Sequence, residues 1–290
     1  VRHFTTLSDW AYLPMGLTMY DSLVQTSSEP FVLNYLCLDN QTYYKIVEIA
    51  DPNLVAWHVS DLDIEEYEQR EYREFVWMLQ SYFTNWYMNR FRPESVTYIA
   101  ADLCFYADIQ QIYLEIGTAS VGLIRHRHIL ETANDRIGRY NAGFVYFLGN
   151  ETGCELLSWW ADAVFHRKYP RFATCYDQRY LEWFVEAHPD RVCVVDRTFG
   201  HSAPWQHYLF DWSRPGQIGW NGEFQTLLFN HFSQFKFDWQ NDTYESVRKA
   251  WARETNQGLV FRNPGLRELY NEYFTRAKKV RVKYNIHQSV

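Results

Sequence analysis

The chain is short of positive charge. Its 290 residues carry 28 Lys and Arg against 35 Asp and Glu, a formal net charge of -7. That balance argues against a globally basic nucleic-acid binder, so no nucleic acid is expected as a partner. A small anionic ligand stays open, because it needs only a local positive site. Cysteine is scarce too. The five are Cys37, Cys104, Cys154, Cys175 and Cys193. Their number is odd and no two are spaced C-x-x-C, so neither a disulfide framework nor a zinc knuckle is expected. Several sit in apolar runs and read as buried reduced thiols, which points to a cytoplasmic setting. No apolar stretch reaches about 18 residues, so no transmembrane helix is expected. Internal repeats, low-complexity linkers and a signal peptide are also missing from the pattern. Val1 stands where Met would, which leaves a trimmed start or a longer parent protein open.

Aromatic residues, by contrast, are abundant. Twelve Trp, 22 Tyr and 20 Phe make up 19% of the chain. Disordered chains lack such rings. The rings and the scattered Gly and Pro also exclude a coiled coil. Most rings lie at core spacing, as in "FVWMLQSYFTNWYMNRF" and "LLSWWADAVF". Tyr12 and Trp205 lie instead in loops beside polar motifs and are candidates for stacking on a base or a sugar.

Strand-like and helix-like pieces alternate. "VRHFTTL", "PFVLNYLCLD", "LVAWHVS", "SVTYIAAD", "ASVGLIRH", "YNAGFVYFLG" and "VCVVD" read as strands, several of them buried on both faces. "AYLPMGLTMYDSLVQ", "TYYKIVEI", the long stretch 63–91, "DIQQIYLEI", "ETGCELLSWWADAVFHRKY" and "DQRYLEWFVEAH" read as helices. The alternation predicts an α/β fold with a mostly parallel central sheet flanked by helices. After about Asp238 the pattern turns helical and more charged. The expected division is therefore a main domain over 1–239 and a helical C-terminal appendage over 240–290.

Ligands of open α/β sheets bind at the carboxyl ends of strands. An apolar strand runs into Asp102, followed by a second apolar patch and Asp108; a turn or a helix cap also explains Asp102. "GRYNAGFVYF" sets Asn141, Ala142 and Gly143 at a strand start, where Gly143 has no side chain to obstruct a ligand. "TCYDQRYLEWF" sets Asp177 and Gln178 at a helix start, where Asp is also a good cap. "LLFNHFSQFKFDW" sets His231 and Lys236 after another apolar run.

The order of these pieces resembles the GT-A glycosyltransferases, in particular glycosyltransferase family 8 and related bacterial polysaccharide enzymes. The first strand and its loop, "HFTTLSDWAYLPMGLTMYDSL", match the part that surrounds the nucleotide base. "YIAADL" matches a Y-[LIF]-D-A-D-[LI] motif, "YNAGFVYF" an [FY]-N-[AS]-G strand, "YDQRYL" a D-Q helix, and "HFSQFKF" a late H-F-x-G-x-x-K motif. The resemblance spans about Val1 to Trp239. Two departures stand out. Ala100 occupies the place of the first Asp, and Ser233-Gln234-Phe235 lacks the usual Gly. Residues i and i+2 of a strand point the same way. Ala100 therefore removes one of two carboxylates that would face one cation.

The resemblance implies transfer of a sugar from a nucleotide-diphosphate donor, UDP-linked in the family pattern, to a glycan or lipid-linked acceptor, with retention. Asp102 and His231 would hold Mn²⁺ or Mg²⁺, weakened by Ala100. Thr5, Thr6, Tyr12 or Trp10, Arg73, Ala101 and Lys236 would hold the donor. Asn141, Ala142, Gly143 and Trp205 would line the sugar and acceptor pocket. Asp177 and Gln178 would stand nearest the reacting carbon, with Asp177 as base, nucleophile or hydroxyl binder. His201, Trp205 and His207 form a possible acceptor platform or a loop anchored by its Trp. Arg70 and Glu74 are spaced as an i,i+4 surface pair. Arg276, Lys278, Lys279, Arg281 and Lys283 form an acid-free tail run, either a solvated helix end or a contact for the inner face of a membrane. The alternatives are a noncatalytic nucleotide- or carbohydrate-binding protein of the same fold, and a glycoside hydrolase with paired carboxylates.

Overall fold

The computed structural model describes residues 1–62, 64, 70–127, 137–169, 177–246, 258, 260 and 262–286. Cys175 lies outside them. The strands are β1 (Arg2–Ser8), β2 (Phe31–Cys37), β3 (Leu54–His58), β4 (Ser95–Ile99), β5 (Leu103–Phe105), β6 (Val121–Arg125), β7 (Tyr140–Leu148), β8 (Val192–Val195), β9 (His201–Ser202), β10 (Gln217–Trp220), β11 (Glu223–Thr226), β12 (Phe229–His231), β13 (Lys236–Asp238) and β14 (Thr243–Glu245). The α-helices among the described residues are α1 (Leu13–Thr26), α2 (Asn40–Ile49), α3 (Tyr72–Phe91), α4 (Gln110–Ile116), α5 (Glu151–Phe165), α6 (Leu181–Ala187) and α7 (Pro264–Lys283).

Local signals set several boundaries. Asp39 caps α2 by accepting the Thr42 N–H, and Asn150 caps α5 by accepting that of Gly153. Arg92 ends α3 in a left-handed conformation, just before Pro93. Of the helix expected over 63–91, the described part runs from Tyr72 to Phe91 after an extended Glu71; residues 63 and 65–69 lie outside the described residues.

Seven strands form the main sheet in the order β3-β2-β1-β4-β7-β6-β8. Only β7 is antiparallel to its neighbours. The expected mostly parallel α/β sheet is therefore present. One face packs against α1, α2 and α4, the other against α3, α5 and α6. A smaller sheet, β5-β12-β9, lies beside the main one.

A third apolar cluster joins that small sheet to α7. Phe232 stacks on Tyr273 with centroids 3.7 Å apart, and Phe235, Tyr270 and Phe274 complete the packing. Burial of each such ring contributes roughly 1.5–3 kcal/mol. The β13–β14 hairpin (236–245) runs across residue 239, and α7 also packs on α1. Three of the tail cations pair with acids. Arg276 pairs with Glu272 at 2.6 Å, Lys278 with Asp242 at 3.1 Å and Lys283 with Asp21 at 2.9 Å. Arg281 lies over the Trp239 ring. No helix among the described residues is long and apolar enough to cross a membrane.

Candidate active site

Strand order places the site. From β1 the chain builds outward through β2 and β3, then returns to lay β4 on the other side of β1. The crevice outside the carboxyl ends of β1 and β4 is thus a topological switch point. Asp102 follows β4 by three residues. Because β7 runs the opposite way, its beginning rather than its end lies there. Ile99 pairs with Phe144, and the Ala100 N–H donates to the Gly143 carbonyl at 2.9 Å. Between Leu123 and Ile124 of β6 the partner in β7 jumps from Val145 to Asn141, so Ala142–Phe144 form a bulge. Such bulges re-aim side chains.

The small sheet brings in the second half. β12 pairs His231 with Leu103, and the Phe232 N–H donates to the Asp102 carbonyl. His231 Nε2 stands 2.9 Å from Asp102 Oδ1, with side chains 12% and 15% exposed. Its other ring nitrogen, Nδ1, is 3.3 Å from Asn141 Oδ1. Asn141 Oδ1 also accepts the Gly143 N–H at 2.7 Å, and Asn141 Nδ2 faces His126 Nε2 at 3.1 Å. His126 Nδ1 in turn reaches the Gly138 carbonyl at 2.7 Å. A Cβ on Gly143 would lie 2.5 Å from Asn141 Oδ1 and 2.8 Å from the His231 ring. Glycine there makes room for these two side chains, rather than for a ligand directly.

Asp177 precedes a single 3-10 turn and makes no side-chain cap. It is buried, and its Oδ2 has no hydrogen-bond partner among the described residues. Burial pushes its carboxyl up to about 7, opposed by the N–H groups of Asp177 and Gln178. Burial also pushes the Tyr98 hydroxyl well up, followed by Asp177 and Asp102, so both carboxylates act on one point. Tyr12 is 46% exposed at the start of α1. Its hydroxyl is raised by burial, Asp102 and Asp9, and lowered by Arg73. Arg73 itself lies over the Trp77 ring. Asp102, His231, Asn141 and Gly143 meet in one network, and Asp102 and Arg73 both act on the Tyr12 hydroxyl.

Other candidates are placed differently. Thr5 and Thr6 are fully buried. The Thr5 hydroxyl bonds Thr84 of α3 at 2.8 Å, while Thr6 Oγ1 has no partner among the described residues. Ala101 and Ala142 are buried. Lys236 is exposed at the start of the hairpin, opposite Glu245. Trp205 is only 6% exposed, edge-on to both His126 and His231, so it is the wall behind the pair and not an open platform. His201 and His207 are sealed in the core. His201 meets Arg127, and burial with that cation holds its imidazole well below the usual range. Glu74 pairs with Arg167, while Arg70 donates to the Phe165 carbonyl, in place of the expected Arg70–Glu74 pairing. Asp108 is tied to Ser28, Gln110 and Arg2. His126 went unread in the sequence. Its only signal there is a polar residue ending an apolar strand.

The pair fits a divalent cation in part. Cis ligands at about 2.1 Å from an octahedral ion lie about 3 Å apart, near the 2.9 Å between His231 Nε2 and Asp102 Oδ1. Among the described residues no group of three His, Cys, Asp or Glu is gathered. Two protein ligands therefore leave the rest of the shell to phosphate oxygens and water, a set that suits Mn²⁺ or Mg²⁺.

No known family model matches the chain. Two proteins of Bacillus subtilis (strain 168), the uncharacterized YfnF and YfnD, are 26% identical over 251 residues and 27% identical over 257. Each alignment covers 80% of this chain, with 81% of YfnF and 78% of YfnD. Among solved structures, galactosyltransferase LgtC with donor and acceptor sugar analogues superposes with a TM-score of 0.57 at 12% identity, over 94% of this chain and 95% of that one. The apo-form glycosyltransferase GlyE of Streptococcus pneumoniae TIGR4 gives 0.54 at 14%, over 98% and 64%. Mouse xyloside xylosyltransferase 1 gives 0.53 at 14%, over 80% and 98%. At such identities the likeness speaks for the fold alone. Together with the sheet order and its switch-point crevice, it shows that the chain has a GT-A-like glycosyltransferase fold.

Proposed function

We propose that the protein transfers a sugar, with retention, from a UDP-type nucleotide-diphosphate donor to a glycan or lipid-linked acceptor. The observation that carries this reading is the Asp102–His231 pair, 2.9 Å apart at the mouth of the switch-point crevice. Asp102 and His231 hold the divalent cation, which offsets charge gathering on the leaving diphosphate. Arg73 adds positive charge beside the diphosphate. Tyr12, half-exposed at the crevice, stacks on the base or ribose. Asp177 offers its unpaired, buried Oδ2 to a hydroxyl of the transferred sugar. Gln178 stands next to it, and Trp205 closes the site from behind.

A second reading has one specific observation in its favour. Ala100 stands where a second carboxylate would face the cation. This reading keeps nucleotide binding and discards turnover. Calorimetric titration with UDP, GDP and TDP, with and without Mn²⁺, separates the two. The transfer reading expects Mn²⁺ to tighten UDP binding at least about tenfold, with slow release of sugar from a UDP-sugar. Silence with every nucleotide overturns both. Metal-independent binding without turnover leaves the second, and Ala100→Asp then tests whether a lost ligand explains it.

A further inference from the structure

We infer that His126 is a positioning residue. It works through Asn141 to fix which nitrogen of His231 faces Asp102, and so keeps that nitrogen free for a divalent cation. The inference deepens the metal-dependent reading above and rests on it.

The argument is one of donors and acceptors along a chain of contacts. The Gly143 backbone N–H can only donate, so the Asn141 atom 2.7 Å from it is the amide oxygen. That fixes the orientation of the amide. Asn141 Nδ2 then donates towards His126 Nε2 at 3.1 Å. His126 Nε2 must accept. It is free to do so because the other ring nitrogen, Nδ1, donates its hydrogen to the Gly138 carbonyl at 2.7 Å, and a carbonyl can only accept. At the far end, Asn141 Oδ1 accepts from His231 Nδ1 at 3.3 Å. His231 Nδ1 therefore carries a hydrogen. The nitrogen facing Asp102 Oδ1 at 2.9 Å is Nε2, the one left with a lone pair in the neutral ring. Two acceptors at that distance need a positive occupant between them, a proton or a cation.

Without His126 the Asn141 amide loses the acceptor of its Nδ2, and only the Gly143 N–H still opposes the alternative tautomer. Asn141 can then turn at the cost of that one hydrogen bond, and His231 Nε2–H donates directly to Asp102. That closed pair hides both ligands from a metal. The tautomer of a metal-binding histidine is commonly fixed by the partner of its second nitrogen. Here the fixing group lies one residue further out. Its burial, with His126 2% and Asn141 9% exposed, and the edge-on packing of Trp205 on both imidazoles hold the chain in register.

The test compares Mn²⁺ binding by electron paramagnetic resonance in saturating UDP for the wild type, His126→Phe and His126→Gln. Phe keeps the ring packing on Trp205 but removes the acceptor. Gln restores an acceptor near the position of Nε2. The expected result is a loss of about tenfold or more for Phe, with most of it recovered by Gln. Nitrogen-15 shifts of His231 in the metal-free protein supply a readout that needs no metal. They should show hydrogen on Nδ1 in the wild type and a shift towards hydrogen on Nε2 alone in the Phe variant. A wild type that binds UDP but no Mn²⁺ overturns the metal reading and this inference with it. A wild type that binds Mn²⁺, with a Phe variant equal in affinity and nitrogen shifts, overturns this inference alone. If the Phe variant does not fold, the Gln variant and the wild-type nitrogen shifts decide. Hydrogen on Nε2 alone in the wild type is fatal.

Discussion

Two histidine networks lie on opposite sides of one short strand. In β12, Asn230 and His231 are neighbours, and their side chains point to opposite faces. On one face the Asn230 oxygen accepts from Ser202 at 2.7 Å and from His207 at 2.8 Å, all three fully or almost fully buried. On the other face His231 joins Asn141 and Asp102, and the chain ends at a partly exposed carboxylate. The residue types are nearly the same. What differs is where each network ends. One ends in the core and holds β9, β12 and the following loop together. The other ends at the crevice, on the partly exposed Asp102 carboxylate. Amides and imidazoles thus acquire a role from the last group in the chain, not from their own chemistry.

The comparison is broken most directly at the crevice. His231→Ala or Asp102→Asn should cut sugar release from a bound UDP-sugar by on the order of 1000-fold, about 4 kcal/mol in the barrier. The melting temperature should stay near that of the wild type. A large loss of stability with unchanged turnover would reverse the roles assigned to the two faces. The sealed network predicts the opposite behaviour. Asn230→Leu leaves the Ser202 and His207 donors buried without their acceptor, at a cost of roughly 3 kcal/mol. Urea unfolding should show it, and the UDP affinity of the folded protein should not change.

A smaller effect sharpens the comparison at Asp177. Its carboxyl is raised from 3.8 to about 7, mainly by burial. Between those values the folded protein holds a proton that the unfolded chain has released. Stability therefore falls as pH rises through that window, by roughly 2 kcal/mol from about pH 5 to 7, and flattens above it. Asp177→Asn should remove that slope, as followed by urea midpoints across pH. An unchanged slope would show that the carboxylate is already ionised and paired in the folded state.

Much of this fold was legible because apolar runs report burial directly. The parallel strands β1, β2, β3 and β4 and most helices stand close to where the patterns set them. The direction of β7 was not legible, since a nine-residue apolar run reads the same either way along a sheet. The crevice residues were visible as polar endings of strands, and Ala100 as a missing acid. Their grouping depended on long-range register. Asn141 and His126 are 15 residues apart and meet only because β7 bulges opposite β6. Trp205 looked like a loop ring until packing closed it between two imidazoles. The Glu74–Arg167 pair spans 93 positions, a separation that no local spacing rule can reach.

The adjacency of Asn230 and His231 carries one more implication, for how this chain can vary. The turn after β12 is held by packing, since Phe232 and Phe235 are buried against α7. The strand itself is held by its alternation of faces. One inserted or deleted residue within it would exchange the two faces, sending an amide into the crevice and an imidazole into the sealed core. A three-residue strand thus sets a parity rule: a length change of one inside it should abolish stability and activity together, although the removal of either side chain alone separates them.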